Sequence, residues 1–239
     1  LTRAVMVHRD EAMASGLDII ACRPYHGALP RAVTTGGVDG VIALTGNVTI
    51  QDVNALGLPA VSLEIELPGV TSIVPDERRG MELVVQHLFD LGHRDIAYIS
   101  LMTDTQASVS RLAGYRHGLK ALSLAYRGDL VDVSLSSINE DADAAMPLSD
   151  GRNKNPSTAL ICYNDWMAMV AVRALQARGL AVPGDISVAG FDDISSGYRF
   201  EPALTSIAYD RYAMARRAVR IVIEAIEQSA ETRCWVDLP

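Results

Sequence analysis

The chain alternates short, continuous apolar runs with longer stretches in which apolar residues recur every three or four positions. The first runs are 38–44 (VDGVIAL) and 59–63 (PAVSL). A helix is expected from Asp76, which can cap it, with Glu77 suited to its positive end. Met81, Val84, Val85, Leu88 and Leu91 fall on one face of that helix, and Gly92 is placed to stop it. Residues 96–101 (IAYISL) read as a buried strand, 111–122 as a helix, 130–135 (LVDVSL) as a strand and 140–146 as a weak helix. Further on, 158–163 (TALICY) reads as a strand and 165–178 as a helix closed by Gly179. Residues 186–191 (ISVAGF) read as a strand, and 212–228 as a long helix with Ala215, Val219, Val222, Ile223 and Ile226 on one side.

Apolar runs without alternation fit strands covered on both faces, and strands separated by helices imply right-handed crossovers and parallel sheets. The expected fold class is therefore α/β. The N-terminal end is less regular. Residues 2–8 (TRAVMVH) are a candidate first strand, a helix is expected to end near Gly16, and a strand to lie near Ile19. Residues 10–37 are short for the crossovers they should contain, so either the N-terminal part is trimmed or the numbering runs across absent loops. Residues 128–155 are polar and read as surface with one strand inside.

Composition narrows the class. A chain of 239 residues can form one large domain or two lobes. With 49% hydrophobic and 21% charged residues it is globular rather than disordered. Lys and Arg number 21 against 29 Asp and Glu, a net charge of −8, which argues against a stand-alone nucleic-acid binder but not against part of one. No apolar run approaches the roughly 18 residues of a membrane span, and no secretory signal is visible. The chain opens on Leu1, so a leader or a domain upstream is an open expectation. Cys22, Cys162 and Cys234 are odd in number and far apart. They are expected as buried free thiols in a reducing cytoplasm.

Ligands of open parallel sheets bind beyond the carboxyl ends of the strands. Run 158–163 ends in Asn164-Asp165, run 186–191 ends in Asp192-Asp193, and run 96–101 leads through a polar loop to Arg111. An amide, a carboxylate and a guanidinium are thus expected on one edge, a set that suits a hydroxyl-rich ligand. Trp166, Phe191 and Tyr163 lie beside them as candidates to stack on a ring. Each residue alone has a plainer reading: Asp165 and Asp193 as helix caps, Asn164 as a turn residue, Arg111 as a surface ion-pair partner.

Other chemistry is not supported. The segment Gly36-Gly37-Val38-Asp39-Gly40 lacks dinucleotide-loop spacing and precedes a strand. His8, His26, His87, His93 and His117 lack metal-ligand spacing, and no nucleophile elbow exists. The pair Asp192-Asp193 defines no two-carboxylate geometry. No catalytic residue, metal or cofactor is expected, and the protein is not expected to be an enzyme. Arg216, Arg217 and Arg220 read as a solvated face.

Five ordered motifs resemble one family. Residues 182–193 (VPGDISVAGFDD) look like the signature near the end of the effector domain of LacI/GalR-type transcription regulators, followed by 202–207 (PALTSI). Residues 91–99 (LGHRDIAYI), after Asp76 and Gly80, resemble the family's Gly-His-Arg segment. Residues 111–115 (RLAGY) and 162–168 (CYNDWMA) resemble its Arg-x-x-Gly-aromatic and Asn-Asp elements. The first 70 residues match loosely, through Val38-Asp39-Gly40 and Gly57-Leu58-Pro59.

The resemblance implies a two-lobed, type I periplasmic-binding-protein-like fold, each lobe a parallel sheet flanked by helices. Residues 1–74 with 211–233 would form the N-terminal lobe, and 75–210 with 234–239 the C-terminal lobe. Crossings are expected near 73–75, near 207–210 and near Trp235. Residues matching Arg111, Asn164 and Asp192 would contact a sugar-like effector in the cleft, with Trp166 and Phe191 as aromatic neighbours. The family acts as cytoplasmic homodimers that bind operator DNA through a helix-turn-helix headpiece, which is absent from this chain. The alternative is a periplasmic sugar-binding protein of a transporter. On either reading, Asp192→Ala and Arg111→Ala are expected to abolish ligand response and leave the fold intact.

Overall fold

The computed structural model describes residues 13, 16–20, 31–43, 57–100, 105–126, 131–132, 157–194 and 197–232. The chain divides into two compact units, Leu1–Pro75 with Asp210–Pro239, and Asp76–Tyr209.

The first unit holds three short parallel strands, β1 (Val41–Ala43) and β2 (Ala60–Leu63) within the two apolar runs and β3 (Thr71–Ile73) beyond them, in the order β1-β2-β3. A four-residue helix, α1 (Arg31–Thr34), precedes them. Ile42 lies opposite Val61, and Val61 opposite Thr71. Strand β3 lies in a stretch that the apolar pattern does not mark; the resemblance places only a crossing near its end.

The second unit holds a five-stranded, wholly parallel sheet. Its strands are β4 (Ile96–Ile99), β5 (Val131–Asp132), β6 (Ala159–Cys162), β7 (Ser187–Phe191) and β8 (Thr205–Ile207), in the order β5-β4-β6-β7-β8. The helices are α2 (Glu77–Asp90), α3 (Gln106–Ala121) and α4 (Asp165–Ala177). A 3-10 turn spans Gly197–Arg199. The apolar pattern does not mark strand β8 either, since Ile207 is its one apolar residue.

Successive side chains of the central strands point to opposite faces. Ala97, Ile99, Leu160 and Cys162 join Met167, Ala171, Val172 and Leu175 of α4 in one buried cluster. Ile96, Tyr98, Ala159 and Ile161 join Met81, Val84, Val85 and Leu88 of α2 and Tyr115 and Leu119 of α3 in the other. A strand buried on both faces has no polar positions to alternate, which is why these runs are continuous. Burying one such Leu or Val fully is worth roughly 1.5–3 kcal/mol.

Helices α2 and α3 pack closely because Gly114 has no side chain. A Cβ there would lie 2.4 Å from the Arg78 carbonyl oxygen and 2.8 Å from Met81 Cβ. The long helix α5 (Arg211–Thr232) returns to the first unit, where Ala215, Ala218 and Val222 pack on Val61 and Leu63. Ala218, fully buried, is an addition to the face that the sequence pattern marks.

Two expectations are corrected. Leu91 leaves the apolar face: it is the C-cap of α2, its amide donates to the His87 and Phe89 carbonyls, and it is 62% exposed. The helix ends one residue earlier, so the spacing no longer governs where Leu91 points. Near Ile19, residues 17–20 form no strand, and Ile19 and Ile20 are exposed. The expected strand at 2–8, the helix at 140–146, most of the strand at 130–135, Cys22 and Cys234, the crossing near Trp235 and the placement of 234–239 lie outside the described residues. No helix among the described residues is long and apolar enough to cross a membrane.

Candidate functional site

The parallel register sets Ile99 opposite Cys162, and Ile161 opposite Ala189. The carboxyl ends of β4, β6 and β7 therefore share one edge of the sheet. Tyr163, Asn164 and Asp165 come directly after β6, and Asp192 and Asp193 directly after β7.

Arg111 reaches this edge from the second turn of α3 and is 4% exposed. Its Nε donates to Glu77 Oε2, and Nη2 donates to Glu77 Oε1 at 3.1 Å, a side-on pair with the first residue of α2. Nη1 donates to the Tyr163 carbonyl, and Nη2 also donates to Asp192 Oδ1 at 3.2 Å. The guanidinium carbon lies 3.9 Å from the Phe191 ring centre and 4.4 Å from that of Tyr163. Burial by itself lowers the Arg111 pKa. The Glu77 hydrogen bonds and the charges of Asp192 and Glu77 outweigh it, so the net shift is upward and the group stays cationic.

Asp192 and Asp193 have φ of 103° and 49°, a left-handed pair of non-glycine residues that turns the chain sharply after β7. The turn is held amide by amide. Asp192 N–H donates to the Ile207 carbonyl and Asp193 N–H to Ser206 Oγ, both at 3.0 Å; Ile194 N–H donates to Asp165 Oδ2 at 2.8 Å. Asp165 Oδ1 also accepts from Ser206 Oγ. Gly190 makes room for that carboxylate, since a Cβ there would lie 2.2 Å from Oδ1. The result aims the Asp192 carboxyl at Arg111 while leaving its side chain 22% exposed.

Asn164 is the N-cap of α4, its Oδ1 accepting the Met167 amide at 2.9 Å. Among the described residues none accepts from its amide nitrogen. Among the described residues, too, no group of three or more His, Cys, Asp or Glu side chains is placed to hold a metal ion.

A model of the periplasmic binding protein-like domain matches residues 85–239. The chain belongs to the periplasmic binding protein-like domain family. Within it, the chain is an effector-binding domain of the LacI/GalR type. It is 30% identical over 205 residues to the HTH-type transcriptional repressor PurR of Aliivibrio fischeri, covering 82% of this chain and 60% of that one. It is 34% identical over 159 residues to the HTH-type transcriptional regulator GalR of Escherichia coli, covering 66% of this chain and 46% of that one. The chain thus spans about half to three-fifths of these curated relatives. The structure of the transcriptional regulator CelR with cellobiose superposes with a TM-score of 0.77 at 27% identity, covering 95% of this chain and 72% of that one.

In this LacI/GalR-type domain the expected residues occupy different situations. Arg111 and Asp192 are brought together directly, and Asn164 is the residue after Tyr163, whose carbonyl Arg111 binds. Trp166 is 48% exposed in the first turn of α4. Phe191 is 1% exposed, its ring in the core beneath the Arg111 guanidinium and tilted against Tyr209 at 6.3 Å. As for the plainer readings, the cap of α4 is Asn164 rather than Asp165, and the ion pairs of Arg111 are buried rather than on the surface.

Two residues of the site escape the sequence reading. Glu77 looks like a helix-dipole residue because nothing in sequence spacing joins position 77 to 111. Asp165 looks like a cap, yet it holds the β7 turn from 1% exposure. The only sequence sign is Gly190 in the opposing strand.

Proposed function

We propose that this chain is the ligand-sensing and dimerisation part of a LacI-type DNA-binding repressor, and that its two compact units are the two lobes of that domain. The effector is a sugar or sugar-like molecule held at the strand ends of the second unit. Asp192 accepts ligand hydroxyls, the Asn164 amide donates, Trp166 offers a ring face, and Arg111 fixes Asp192. The chain turns over no substrate, works in the cytoplasm as a homodimer, and reaches operator DNA through a helix-turn-helix headpiece outside these residues.

The observation that carries the reading is the Arg111–Asp192 contact at the sheet edge where Asn164 follows the Tyr163 carbonyl that Arg111 binds, inside a domain whose relatives PurR and GalR are named transcriptional regulators. In an open parallel sheet this edge is where ligands bind. A structural relative solved as a cellobiose complex supports a sugar.

The test is a thermal-shift screen of free sugars, sugar phosphates and nucleosides, because a ligand that binds only the folded state raises its midpoint. A hit whose affinity drops at least about tenfold in Asp192→Asn supports the assignment; a hit unaffected by it moves the site elsewhere. Against the transporter reading, the coding sequence upstream of Leu1 decides: a helix-turn-helix supports the repressor, and a signal peptide overturns it.

A further inference from the structure

Arg111 is the cation of the strand-end site, yet two carboxylates already hold it. Glu77 takes it side-on through Nε and Nη2, and Asp192 takes Nη2 as well. The Glu77 side chain is 11% exposed and that of Arg111 5%, so solvent screens this pairing weakly. The Tyr163 carbonyl accepts from Nη1, and the Phe191 and Tyr163 rings both lie against the guanidinium. Arg111 cannot swing toward a ligand without giving up contacts on several sides. Among the described contacts, one guanidinium thus serves two carboxylates. Asp165 and Asp193 add further carboxylates around the same turn, with Asp165 bonded to Ser206 and the Ile194 amide.

We infer that Glu77 sets the charge of the effector: it neutralises Arg111, so that the site accepts uncharged polyhydroxylated ligands and turns away phosphorylated or carboxylate ones. A buried guanidinium without such a partner would attract a phosphate in bidentate fashion. Here that fork is filled by the chain's own carboxylate, and an arriving anion would meet both Glu77 and Asp192. Hydroxyl groups meet no such penalty, since Asp192 accepts from them and Arg111 keeps Asp192 in place. Glu77 is thus a specificity-determining residue that acts through Arg111. This rests on the proposed ligand site and narrows its ligand class.

The experiment uses inorganic phosphate as probe, followed by thermal shift and calorimetry at constant ionic strength. Phosphate is expected not to stabilise the unaltered protein beyond chloride. Glu77→Gln leaves Arg111 with one carboxylate, and phosphate is then expected to bind saturably, at least about tenfold more tightly, and to raise the midpoint that the substitution lowered. A residue with a merely structural role would not gain an anion site. Asp192→Asn removes the other carboxylate and is expected to show the same gain, which keeps the test usable if Glu77→Gln does not fold. Glu82→Gln, which removes a carboxylate from the α2 surface, is expected to gain nothing. Saturable phosphate binding by the unaltered protein overturns the inference, as does a folded Glu77→Gln or Asp192→Asn that gains none.

Failure of the site assignment looks different. If neutral sugars and nucleosides bind but are indifferent to Asp192→Asn, the ligand site is elsewhere, whatever phosphate does. If a sugar phosphate binds the unaltered protein and is lost in Asp192→Asn, the site stands and the charge rule falls.

Discussion

Asp165 and Ser206 meet beneath the turn after β7: the Ser206 hydroxyl donates to Asp165 Oδ1 and accepts the Asp193 amide, while Asp165 Oδ2 takes the Ile194 amide. Both side chains serve two adjacent left-handed residues that would otherwise be strained. Asp165→Ala is therefore expected to leave the Ile194 amide and the Ser206 hydroxyl short of a partner and to cost about 3 kcal/mol of stability. Ser206→Ala is expected to cost about 1 kcal/mol. Urea unfolding with an unchanged slope checks both, and a smaller loss in Asp165→Ala than in Ser206→Ala would reverse the ranking.

On the proposed ligand site, Asn164 has two separable tasks. Its carbonyl oxygen caps α4, and its amide nitrogen is assigned to the ligand. Asn164→Asp keeps the acceptor and removes the donor, so stability is expected to hold within about 0.5 kcal/mol while effector affinity falls. Asn164→Ala is expected to lose about 1 kcal/mol as well. Full effector affinity in Asn164→Asp would leave the residue as a cap alone.

Arg111→Ala is expected to damage the fold as well as the response. Removing the guanidinium takes a buried cation away from the Glu77 and Asp192 carboxylates, and loss of one partner from a buried pair costs about 3–5 kcal/mol. The expectation of an intact fold takes no account of the burial of Arg111, which is 4% exposed. Chemical denaturation of Arg111→Ala beside Arg111→Lys measures the loss; a cost below about 1 kcal/mol would show the pairing to be of little weight.

His93 ties the starts of two strands, its Nδ1 lying 2.9 Å from Thr158 Oγ1 and its Nε2 3.0 Å from Ser187 Oγ. Burial lowers its pKa below the usual 6.5. The unfolded chain then takes up the proton more readily than the folded one. This contribution to stability is full above pH 6.5 and is lost as pH falls through the lowered folded pKa. Unfolding free energies of the unaltered protein and His93→Gln, compared at about pH 7.5 and about pH 5.5, are expected to converge at the lower pH. A difference that is constant or grows on acidification contradicts the sign.

Gly114→Ala tests the contact between α2 and α3. The added methyl would press on the Arg78 carbonyl, which is backbone and cannot rotate away. A loss of about 1–3 kcal/mol is expected in thermal or urea unfolding, against a slight gain if helix propensity alone decided.

Elements with a local cause are legible in the order of residues. Continuous apolar runs placed β4, β6 and β7, because both faces of those strands are buried. Asp76, Gly92 and Gly179 marked helix ends, because caps and positive φ are properties of a few neighbouring residues. The edge that gathers Asn164 and Asp192 was also legible, since parallel strands put all their carboxyl ends on one side. Partnerships between distant residues come from folding alone. Glu77 and Arg111 stand 34 positions apart and Asp165 and Ser206 stand 41 apart, and no periodicity connects them. Strands β3 and β8 are too short and too mixed to announce themselves, and they exist because a neighbouring strand supplies their hydrogen bonds. Phe191 and Arg111 drew attention as ligand contacts on chemistry that sequence can see. Burial, which sequence cannot see, put one ring in the core and set the other side chain between Glu77 and Asp192.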